Sequence, residues 1–515
     1  MKAPLQQLYD YQRKAVNTTY YSPKGIICMP TSTGKTFCQA AILANDILNN
    51  KGMFRIYVVN APRILLSYQL LKEFYSFLLM TGIEARYMFV HSGGKANEKE
   101  LEEIRLRANS EGHAIPYSEI GSATQVSVIK ENIRTAYDMS LPIILFSTYN
   151  SAQNIQYALN GIKELKDYPI SMVLNDEAHY LVQEQFHDIL NVLNNNRCYF
   201  FTATTINTPS DKGRGMNNED AYGKILFEMT PAEAIKLGKM VRPRMHFVRT
   251  DGVYNSDDYN RSLNKIIKDT FEQHESTLNS DKQKPKLLIS AKGSLDIIRF
   301  LTSQEYRELR QSGVDIYAIG SNDEIGNDIN GEKVRRPDFL KRLKQDGTNR
   351  NKKLIVLHYD ILAEGIDVSG FTGIMPLRTL SKSKFLQTYG RAARLDPEDR
   401  KRIDAGEISA DDLNKMIKPY AYVIIPNIVQ TNEDDKENTI QLINELRSFD
   451  FDPVEETIFT TRVNGIPERE DTEGLNSIGR RLSFNGLLID NLEYILEAET
   501  DAKLKKKGLL GKLFG

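Results

Sequence analysis

Short runs of almost continuous apolar residues recur in the first half of the chain, and the stretches between them are long enough for helices. Strands that are covered on both faces have such runs, whereas strands with one solvated face alternate apolar and polar positions. Residues 1–240 are therefore predicted to form a doubly wound α/β domain with a parallel sheet. The predicted strands are Gly25–Met29, Ile56–Asn60, Ile143–Phe146, Met172–Leu174 and Tyr199–Thr202.

A second series of apolar runs predicts that this architecture is repeated in residues 241–430. The polar, turn-rich segment Asn207–Gly223 is predicted to be a loop before the second unit. The pattern weakens after residue 430, so residues 431–515 are predicted to be a small C-terminal extension in which Ile440–Phe449 forms an amphipathic helix. The strands of the second series are Met245–Val248, Lys286–Ser290, Ile316–Ile319, Leu354–Leu357, Ile374–Leu377 and Tyr420–Pro426.

Composition narrows the class of protein. The 515 residues are 41% hydrophobic and 26% charged, as in globular proteins of several domains. No apolar stretch approaches the ~20 residues of a membrane helix, and the N-terminus lacks the apolar core of a signal peptide, so a cytoplasmic location without a membrane partner is expected. The net charge is −1, so a nucleic-acid partner would have to bind in a local groove. Cys28, Cys38 and Cys198 form no Cys-x-x-Cys pair and are expected to pack among apolar residues.

A phosphate-binding loop is predicted between the first strand and the helix Phe37–Leu48. The segment Met29–Thr36 ends in Gly-Lys-Thr, and its backbone N–H groups can wrap phosphates at the start of the helix. Lys35 would reach the β- and γ-phosphates, and Thr36 would offer its hydroxyl to Mg²⁺. Met29 replaces the first glycine of the general pattern, so a threonine-rich strand-to-helix turn is the alternative. The residues that would bind the nucleotide are Thr31, Ser32, Thr33, Gly34, Lys35 and Thr36.

An acidic tetrapeptide, Asp176–His179, follows the apolar run at residues 170–174. Asp176 can hold Mg²⁺ directly or through water, and Glu177 can orient or deprotonate an attacking water. His179 is placed to bond residues that respond to the γ-phosphate. Alone, such a tetrapeptide is more often a helix N-cap, but together with the phosphate loop it indicates hydrolysis of a nucleoside triphosphate.

Six further segments follow one another along residues 8–426: Leu8–Gln12, Val58–Gln69, Phe146–Ser151, Thr202–Thr204, Glu364–Asp367 and Gln387–Arg394. With the phosphate loop and the acidic tetrapeptide, they resemble the motifs of superfamily 2 helicases, in the DEAH-containing group that includes the translocase subunits of type I and type III restriction enzymes. The resemblance implies two tandem RecA-like lobes with a small C-terminal extension, ATP and Mg²⁺ in the cleft, and a nucleic-acid strand across both lobes.

The resemblance also implies roles for individual residues of the first lobe. Gln12 would read adenine, although on its own it would be a surface residue of an amphipathic helix. Arg63, Ser147 and Thr148 would contact nucleic-acid phosphates without reading sequence, and a solvated loop charge is the alternative for Arg63. The residues that would couple the nucleotide site to closure of the lobes are His179, Thr202, Thr204 and, in the second lobe, Gln387.

In the second lobe, the resemblance implies that Gly365 and Asp367 contact the ribose and the nucleic acid. Arg391 and Arg394 match the arginine-finger motif, in which an arginine stabilises the charge of the transition state. Because they belong to the second lobe, hydrolysis would depend on domain movement. Thr388 stands where many relatives carry a further arginine, so two of the three arginines are expected here.

The function that these features imply is an ATP-dependent DNA helicase or translocase. DNA is favoured over RNA because the resemblance is to the restriction-type lineage, whose members translocate on duplex DNA. The alternatives are an RNA helicase of the same fold, the motor subunit of a restriction complex, and an ATP-gated binding protein without catalysis. A phage-encoded protein, acting in the host cytoplasm, is a further interpretation.

Two charged segments are not part of these motifs. Gly331–Lys353 holds nine basic and three acidic residues, and its predicted helix would face either a nucleic-acid backbone or solvent. The basic tail Lys503–Gly515 ends in apolar residues, of which Leu510, Leu513 and Phe514 resemble the C-terminal peptides that dock replication proteins onto sliding clamps. A frayed tail and a membrane-surface helix are the alternatives for this tail.

Overall fold

The structure is a computed structural model and contains two α/β units. The boundary between them lies between Thr230 and Pro231. The secondary structure is described for residues 4–91, 121–165, 169–187, 189–192, 197–209, 213–251, 256–277, 282–320, 325–359, 370–378, 380, 382–428 and 457–462. Among these residues no helix is both long and apolar enough to cross a membrane. The three cysteines are buried, as predicted, and none of them forms a disulfide.

The first unit contains an eight-stranded sheet with the order β4-β3-β5-β2-β6-β7-β1-β8. Every recorded pair of neighbouring strands is parallel. The strands are β1 (Lys24–Cys28), β2 (Ile56–Ala61), β3 (Arg86–Val90), β4 (Gly121–Ser122), β5 (Ile143–Thr148), β6 (Met172–Asn175), β7 (Cys198–Thr202) and β8 (Lys224–Glu228). Its α-helices are Asp10–Thr18, Lys35–Asn49, Ile64–Thr81, Val126–Asp138, Gln153–Asn160, Glu184–His187, Ile189–Val192 and Glu219–Tyr222.

The central strands of this sheet are buried at almost every position, because helices cover both faces. The five predicted strands agree with β1, β2, β5, β6 and β7 to within two residues at each end. The edge strand β8 is mostly exposed or half-buried, and the sequence analysis missed it along with β3 and β4.

The second unit contains a nine-stranded sheet with the order β13-β12-β11-β14-β10-β15-β16-β9-β17. Its strands are β9 (Arg242–Asp251), β10 (Lys286–Ser290), β11 (Val314–Ile319), β12 (Asn327–Ile329), β13 (Glu332–Lys333), β14 (Lys353–His358), β15 (Gly373–Pro376), β16 (Tyr420–Ile428) and β17 (Thr457–Arg462). Its α-helices are Pro231–Lys236, Ser256–Thr277, Ser294–Thr302, Gln304–Gln311, Arg336–Thr348, Lys382–Ala392 and Pro397–Asp404. The predicted repetition of the α/β architecture is therefore confirmed.

Two features of the second sheet were not predicted. The hairpin β12–β13 joins the edge of the sheet in antiparallel orientation. Strand β17 belongs to the predicted C-terminal extension, yet it pairs in parallel with β9 and so extends this sheet. The predicted helix Ile440–Phe449 and the basic tail lie outside the described residues.

Strand order decides where the candidate site lies. In the first sheet β6, β7 and β1 are neighbours, and all three run in the same direction. The segments that follow their carboxyl ends therefore meet at one edge. These segments are the phosphate loop, the acidic tetrapeptide and Thr202–Thr204.

Candidate nucleotide site

The phosphate loop leaves β1 and enters the helix Lys35–Asn49 through two residues with positive φ. Ser32 has φ = 72° and Gly34 has φ = 82°, in the left-handed region that favours glycine. A Cβ atom on Gly34 would overlap Nε2 of Gln12. Glycine is therefore favoured at position 34 by the backbone conformation, and any other residue would displace the Gln12 amide.

Lys35 begins the helix and is buried, with 8% of its surface exposed. Its ammonium group donates a hydrogen bond to the backbone oxygen of Met29 over 3.2 Å. The Thr33 hydroxyl donates to the backbone oxygen of Pro30 over 2.7 Å, which closes the loop on itself. A phosphate would offer Lys35 a charged acceptor, which binds an ammonium group more strongly than a carbonyl does.

Gln12 is tied to the phosphate loop. Its Nε2 donates to the backbone oxygen of Thr33 over 2.9 Å, and its Oε1 accepts from the backbone N–H of Tyr9 over 3.0 Å. The Tyr11 hydroxyl donates to the same Thr33 oxygen over 2.8 Å. The helix Asp10–Thr18 is thereby fastened to the loop, and the residue expected to read adenine is in contact with the predicted phosphate site.

Asp176 follows β6 and is 4% exposed. Its Oδ1 accepts a hydrogen bond from Nε2 of Gln39 over 2.7 Å, and its backbone oxygen accepts one from the Tyr149 hydroxyl over 2.6 Å. Burial, and then repulsion by Glu177, raise the pKa of Asp176 to about 7, while Lys35 opposes the rise. A divalent cation at this carboxylate would favour its ionised form, so the buried acid fits the predicted Mg²⁺ ligand.

Glu177 adopts a left-handed backbone conformation, with φ and ψ both 48°, which is unusual for a residue with a Cβ. Its Oε2 is buried without a hydrogen-bond partner among the described residues, and it lies 3.4 Å from Nδ1 of His179. Strained backbone and unsatisfied polar atoms of this kind are concentrated at functional sites. The carboxylate therefore has an acceptor available for an additional group, such as a water molecule.

His179 is linked to the segment after β7. Its Nδ1 lies 3.1 Å from the Thr202 hydroxyl oxygen, and that hydroxyl lies 2.7 Å from the backbone oxygen of Thr204. The hydroxyl has one hydrogen and a carbonyl can only accept, so Thr202 donates to Thr204, and Nδ1 of His179 carries a proton and donates to Thr202. Burial lowers the pKa of His179, although Glu177 opposes this. His179, Thr202 and Thr204 therefore form one hydrogen-bonded chain.

The three residues predicted to contact nucleic-acid phosphates have different environments. Arg63 is exposed directly after β2. The Thr148 hydroxyl donates to the hydroxyl of Ser151 over 3.1 Å at the end of β5. Ser147 is fully buried, and its hydroxyl lies 3.0 Å from the backbone oxygen of Thr148 and 3.4 Å from that of Val90. Of these three residues, Arg63 alone has an exposed side chain.

The arginine-finger segment belongs to the second unit. Gln387, which is buried, and Arg391, which is half-buried, lie on the helix Lys382–Ala392, and Arg394 follows the end of that helix. The ammonium group of the buried Lys418 donates to the backbone oxygen of Arg394. The Tyr389 hydroxyl donates to the backbone oxygen of Val241 over 3.2 Å, which anchors the helix at the start of β9. Gly365 and Asp367 lie outside the described residues.

Three contacts to these segments were not predicted from the sequence, although Tyr149 itself lies in the recognised segment Phe146–Ser151. Gln39 and Tyr149 bond Asp176, and Lys418 bonds Arg394. Gln39 could have been found, since it lies one helical turn after Lys35 and on the same face of the helix. Tyr149 and Lys418 reach their partners across the fold, and nothing in their sequence neighbourhood indicates this.

Comparison with known proteins shows a family match within the first unit and solved structures with a similar fold over most of the chain. Residues 5–207 match the family described as type III restriction enzyme, res subunit (ResIII). No curated protein matches the chain. Among solved structures, the ATP-dependent type ISP restriction-modification enzyme LlaBIII bound to DNA has a TM-score of 0.61 and 16% identity, with 88% of this chain and 31% of that chain covered.

Two further structures are similar. A nuclease-deletion mutant of the type ISP enzyme LlaGI, in complex with a DNA substrate mimic, has a TM-score of 0.53 and 18% identity over 86% of this chain and 29% of that chain. A Dbp5 variant from S. cerevisiae bound to RNA and ADP BeF3 has a TM-score of 0.50 and 12% identity, with 90% of this chain and 94% of that chain covered. At such identities the similarity establishes the fold, and the predicted pair of RecA-like lobes is confirmed. The chain spans about three tenths of the two restriction-modification enzymes.

Proposed function

We propose that this protein is an ATP-dependent motor that moves along DNA. The observation that carries the proposal is the meeting of the phosphate loop, Asp176, Glu177 and the His179–Thr202 hydrogen bond at one edge of the first sheet. A phosphate-binding loop beside an acid pair is suited to the hydrolysis of a nucleoside triphosphate. The match of residues 5–207 to the ResIII family supports a motor of the restriction-enzyme type.

In the proposed reaction, Lys35 and the N–H groups of the loop bind the β- and γ-phosphates. Thr36 and Asp176 are the residues that would hold Mg²⁺, which when bound neutralises phosphate charge. Glu177 accepts a hydrogen bond from the attacking water and orients it towards the γ-phosphate. Nδ1 of His179 donates to Thr202 and also lies 3.4 Å from the Glu177 carboxylate. A movement of that carboxylate would therefore be transmitted to the segment after β7.

The second unit contributes Arg391 and Arg394 to the proposed transition state. Their guanidinium groups would stabilise the charge that develops on the phosphoryl oxygens. Because they belong to a different unit from Lys35, hydrolysis requires the two units to close around the nucleotide. Alternating closure and release would advance the protein along its strand, while Arg63 holds a phosphate of the backbone.

DNA is the proposed track because the ResIII match and the LlaBIII structure, described as bound to DNA, belong to restriction systems. An RNA helicase is the second candidate, since the Dbp5 structure is described as bound to RNA. A motor subunit that acts with a separate nuclease would have the same nucleotide site. A panel of single-stranded DNA, duplex DNA, forks and single-stranded RNA, compared as stimulators of ATP hydrolysis, distinguishes the two tracks.

Glu177→Gln tests the proposed chemistry. The amide cannot accept a proton, so we expect DNA-stimulated ATP hydrolysis to fall by about 10²–10⁴-fold while ATP binding is retained. The measurement is steady-state phosphate release with and without DNA. Glu184→Gln is the matched control, since Glu184 has 89% of its side-chain surface exposed and pairs with Arg214 on the surface. Stimulated hydrolysis at the wild-type rate in Glu177→Gln would contradict the proposal.

We also propose that the basic tail Lys503–Gly515, which lies outside the described residues, docks onto a sliding clamp. The proposal rests on Leu510, Leu513 and Phe514 in the sequence. Deletion of residues 503–515 is expected to abolish clamp binding in surface plasmon resonance and to leave DNA-stimulated hydrolysis intact. Equal clamp binding by the full chain and the deletion variant would rule it out.

A further inference from the structure

Gln39 is a polar residue on the buried side of the helix that follows the phosphate loop. None of its surface is exposed, and the residues around it in the helix, from Cys38 to Leu43, are apolar and buried. A primary amide in such a place costs free energy unless its donors and acceptor are satisfied. An apolar side chain would fill the same space without this cost, so the amide calls for a specific explanation.

The amide of Gln39 makes one hydrogen bond to the carboxyl group of Asp176, and its acceptor has no partner among the described residues. Nε2 donates to Oδ1 of Asp176 over 2.7 Å, between two buried side chains. Oε1 is buried and has no hydrogen-bond partner in the described part of the chain. Lys35 and Gln39 are four residues apart and so lie on one face of the helix. The helix that would bind the phosphates is therefore bonded directly to the carboxylate that would bind the metal.

We propose that Gln39 is a positioning residue for the Mg²⁺ of the nucleotide site. Its Nε2 fixes the orientation of the Asp176 carboxylate, and its Oε1 accepts a hydrogen bond from a water of the cation's hydration shell. Mg²⁺ usually keeps several waters when proteins bind it, and such outer partners orient the groups that hold it. The proposal rests on the nucleotide site described above and adds to it a residue that none of the recognised motifs includes.

The test is the Mg²⁺ dependence of nucleotide binding in the full-length chain. Gln39→Met keeps the length and buried character of the side chain but removes both hydrogen-bonding groups. Fluorescent ADP is titrated at increasing Mg²⁺ concentrations and again in EDTA. We expect the Mg²⁺ concentration for half-maximal effect to rise by about 10-fold or more, as for other outer-shell residues. Binding in EDTA should stay within about twofold of wild type, because Gln39 does not contact the nucleotide in the proposed site.

A second variant and a matched control exclude a purely structural effect. Gln39→Leu should give the same shift as Gln39→Met, and Mn²⁺ binding in the presence of ADP, followed by electron paramagnetic resonance, should weaken in both. Asn264→Leu is the control, since this buried amide donates to Oε2 of Glu308 over 3.0 Å in the second unit. It should leave the Mg²⁺ dependence unchanged.

Three results would overturn the inference. The Mg²⁺ requirement of Gln39→Met could equal that of wild type. Binding in EDTA could weaken as much as binding in Mg²⁺, which would indicate a packing role. Wild type could bind ADP without any dependence on Mg²⁺. A failure of the proposed motor function would be detected separately. The ADP titration measures binding without hydrolysis, whereas the Glu177→Gln experiment measures hydrolysis.

Discussion

At the scale of single residues, the second unit buries two lysines near its arginine-finger segment. Lys418 is 1% exposed and Lys286 is fully buried. Burial, and then the charges of Arg394 and Lys286, lower the pKa of Lys418 to about 7, although Asp396 and Asp399 oppose this. Burial lowers the pKa of Lys286 to about 8. Both lysines therefore titrate far below their ordinary range.

These shifts predict that the two lysines contribute stability that increases as the pH rises from about 7 to 10. In this window the folded state has lost protons that the unfolded state, with an ordinary lysine pKa, still binds. The free energy of unfolding then increases with pH, by about 1.4 kcal/mol per pH unit for each proton of difference. Above about pH 9 the buried thiols of Cys38 and Cys198 oppose this increase, because burial raises their pKa to about 12. Lys418→Met should lower this slope by the contribution of at most one proton, which is about 1.4 kcal/mol per pH unit. Urea denaturation at several pH values measures the slope.

The control for this experiment is Lys401→Met, in which an exposed lysine of the helix Pro397–Asp404 is replaced. Its pH slope should match that of wild type. Asp399 retains the backbone N–H groups of Ile417 and Lys418 as donors in the Lys418 variant, so no buried carboxylate loses all its partners. An unchanged slope in Lys418→Met would show that this lysine is protonated in the folded state.

The sequence pointed to some residues of the candidate site by their chemistry, and the roles of these residues stay predictions. It singled out Lys35, Thr36, Asp176 and Glu177 because phosphate and metal chemistry requires these residue types after strands. It did not indicate that Ser147 would turn its hydroxyl into the protein, because a serine at a strand end can point either way. Such choices depend on packing against other elements, which the local sequence does not encode.

At the scale of elements, the helix Arg336–Thr348 carries a basic surface. Arg335 pairs with Asp338 over 3.0 Å, and Arg342 pairs with Glu332 over 3.4 Å. In the part of the chain that the structure describes, Arg336, Lys341 and Lys344 are exposed and have no carboxylate within ion-pair distance. An open cleft of about 480 Å³ is lined by Lys341, together with Arg335, Arg342 and the carboxylates of Glu332 and Asp338. Cations without a carboxylate partner are available to bind the phosphates of a nucleic-acid backbone. Arg336, Lys341 and Lys344 therefore favour a nucleic-acid contact for this helix.

Replacing Arg336, Lys341 and Lys344 together by glutamine is expected to weaken DNA binding at low salt. The slope of log affinity against log salt concentration should become shallower by about 0.9 for each phosphate contact that is lost. Fluorescence anisotropy with labelled duplex DNA at four salt concentrations measures both effects. If the slope does not change, this helix faces solvent, which the sequence left as the alternative.

The matched control removes three cations from another helix of the same unit. Arg261, Lys265 and Lys268 lie on the helix Ser256–Thr277, and they line a cleft together with Asp269, Glu272, Glu305 and Glu308. Because carboxylates surround these cations, their replacement by glutamine should leave the salt dependence of DNA binding unchanged. The comparison separates a specific contact from a general loss of positive charge.

Apolar runs predicted the buried strands of both sheets, because such runs reflect burial on two faces. The hairpin β12–β13 and the edge strand β8 were missed for the opposite reason. They lie at the edges of their sheets, where short and partly exposed strands carry little apolar signal. Strand β17 lies more than 200 residues after β9, so its pairing could be found only in three dimensions.

At the scale of the whole molecule, the proposed reaction needs both units. Arg391→Gln should leave ATP binding within a few-fold of wild type and lower the stimulated rate by about 10³-fold, because the arginine acts on the transition state. Equilibrium binding of fluorescent ATP and steady-state hydrolysis on DNA measure the two effects. Arg400→Gln, on the exposed face of the next helix, is the control. If Arg391→Gln retains full stimulated hydrolysis, the second unit does not supply the arginine.

By itself the sequence determined that the chain contains two consecutive α/β units, and it predicted a phosphate loop and an acid pair in the first. Both conclusions depend on local order: apolar runs reflect burial, and loop chemistry depends on residues that are adjacent in the chain. Only the tertiary structure decided which segments meet. The order β6-β7-β1 places Asp176 and Thr202 beside the phosphate loop, and the fold brings Gln39 to Asp176 and Lys418 to Arg394. Strand order and long-range side-chain contacts follow from packing between segments far apart in sequence, so no local pattern specifies them.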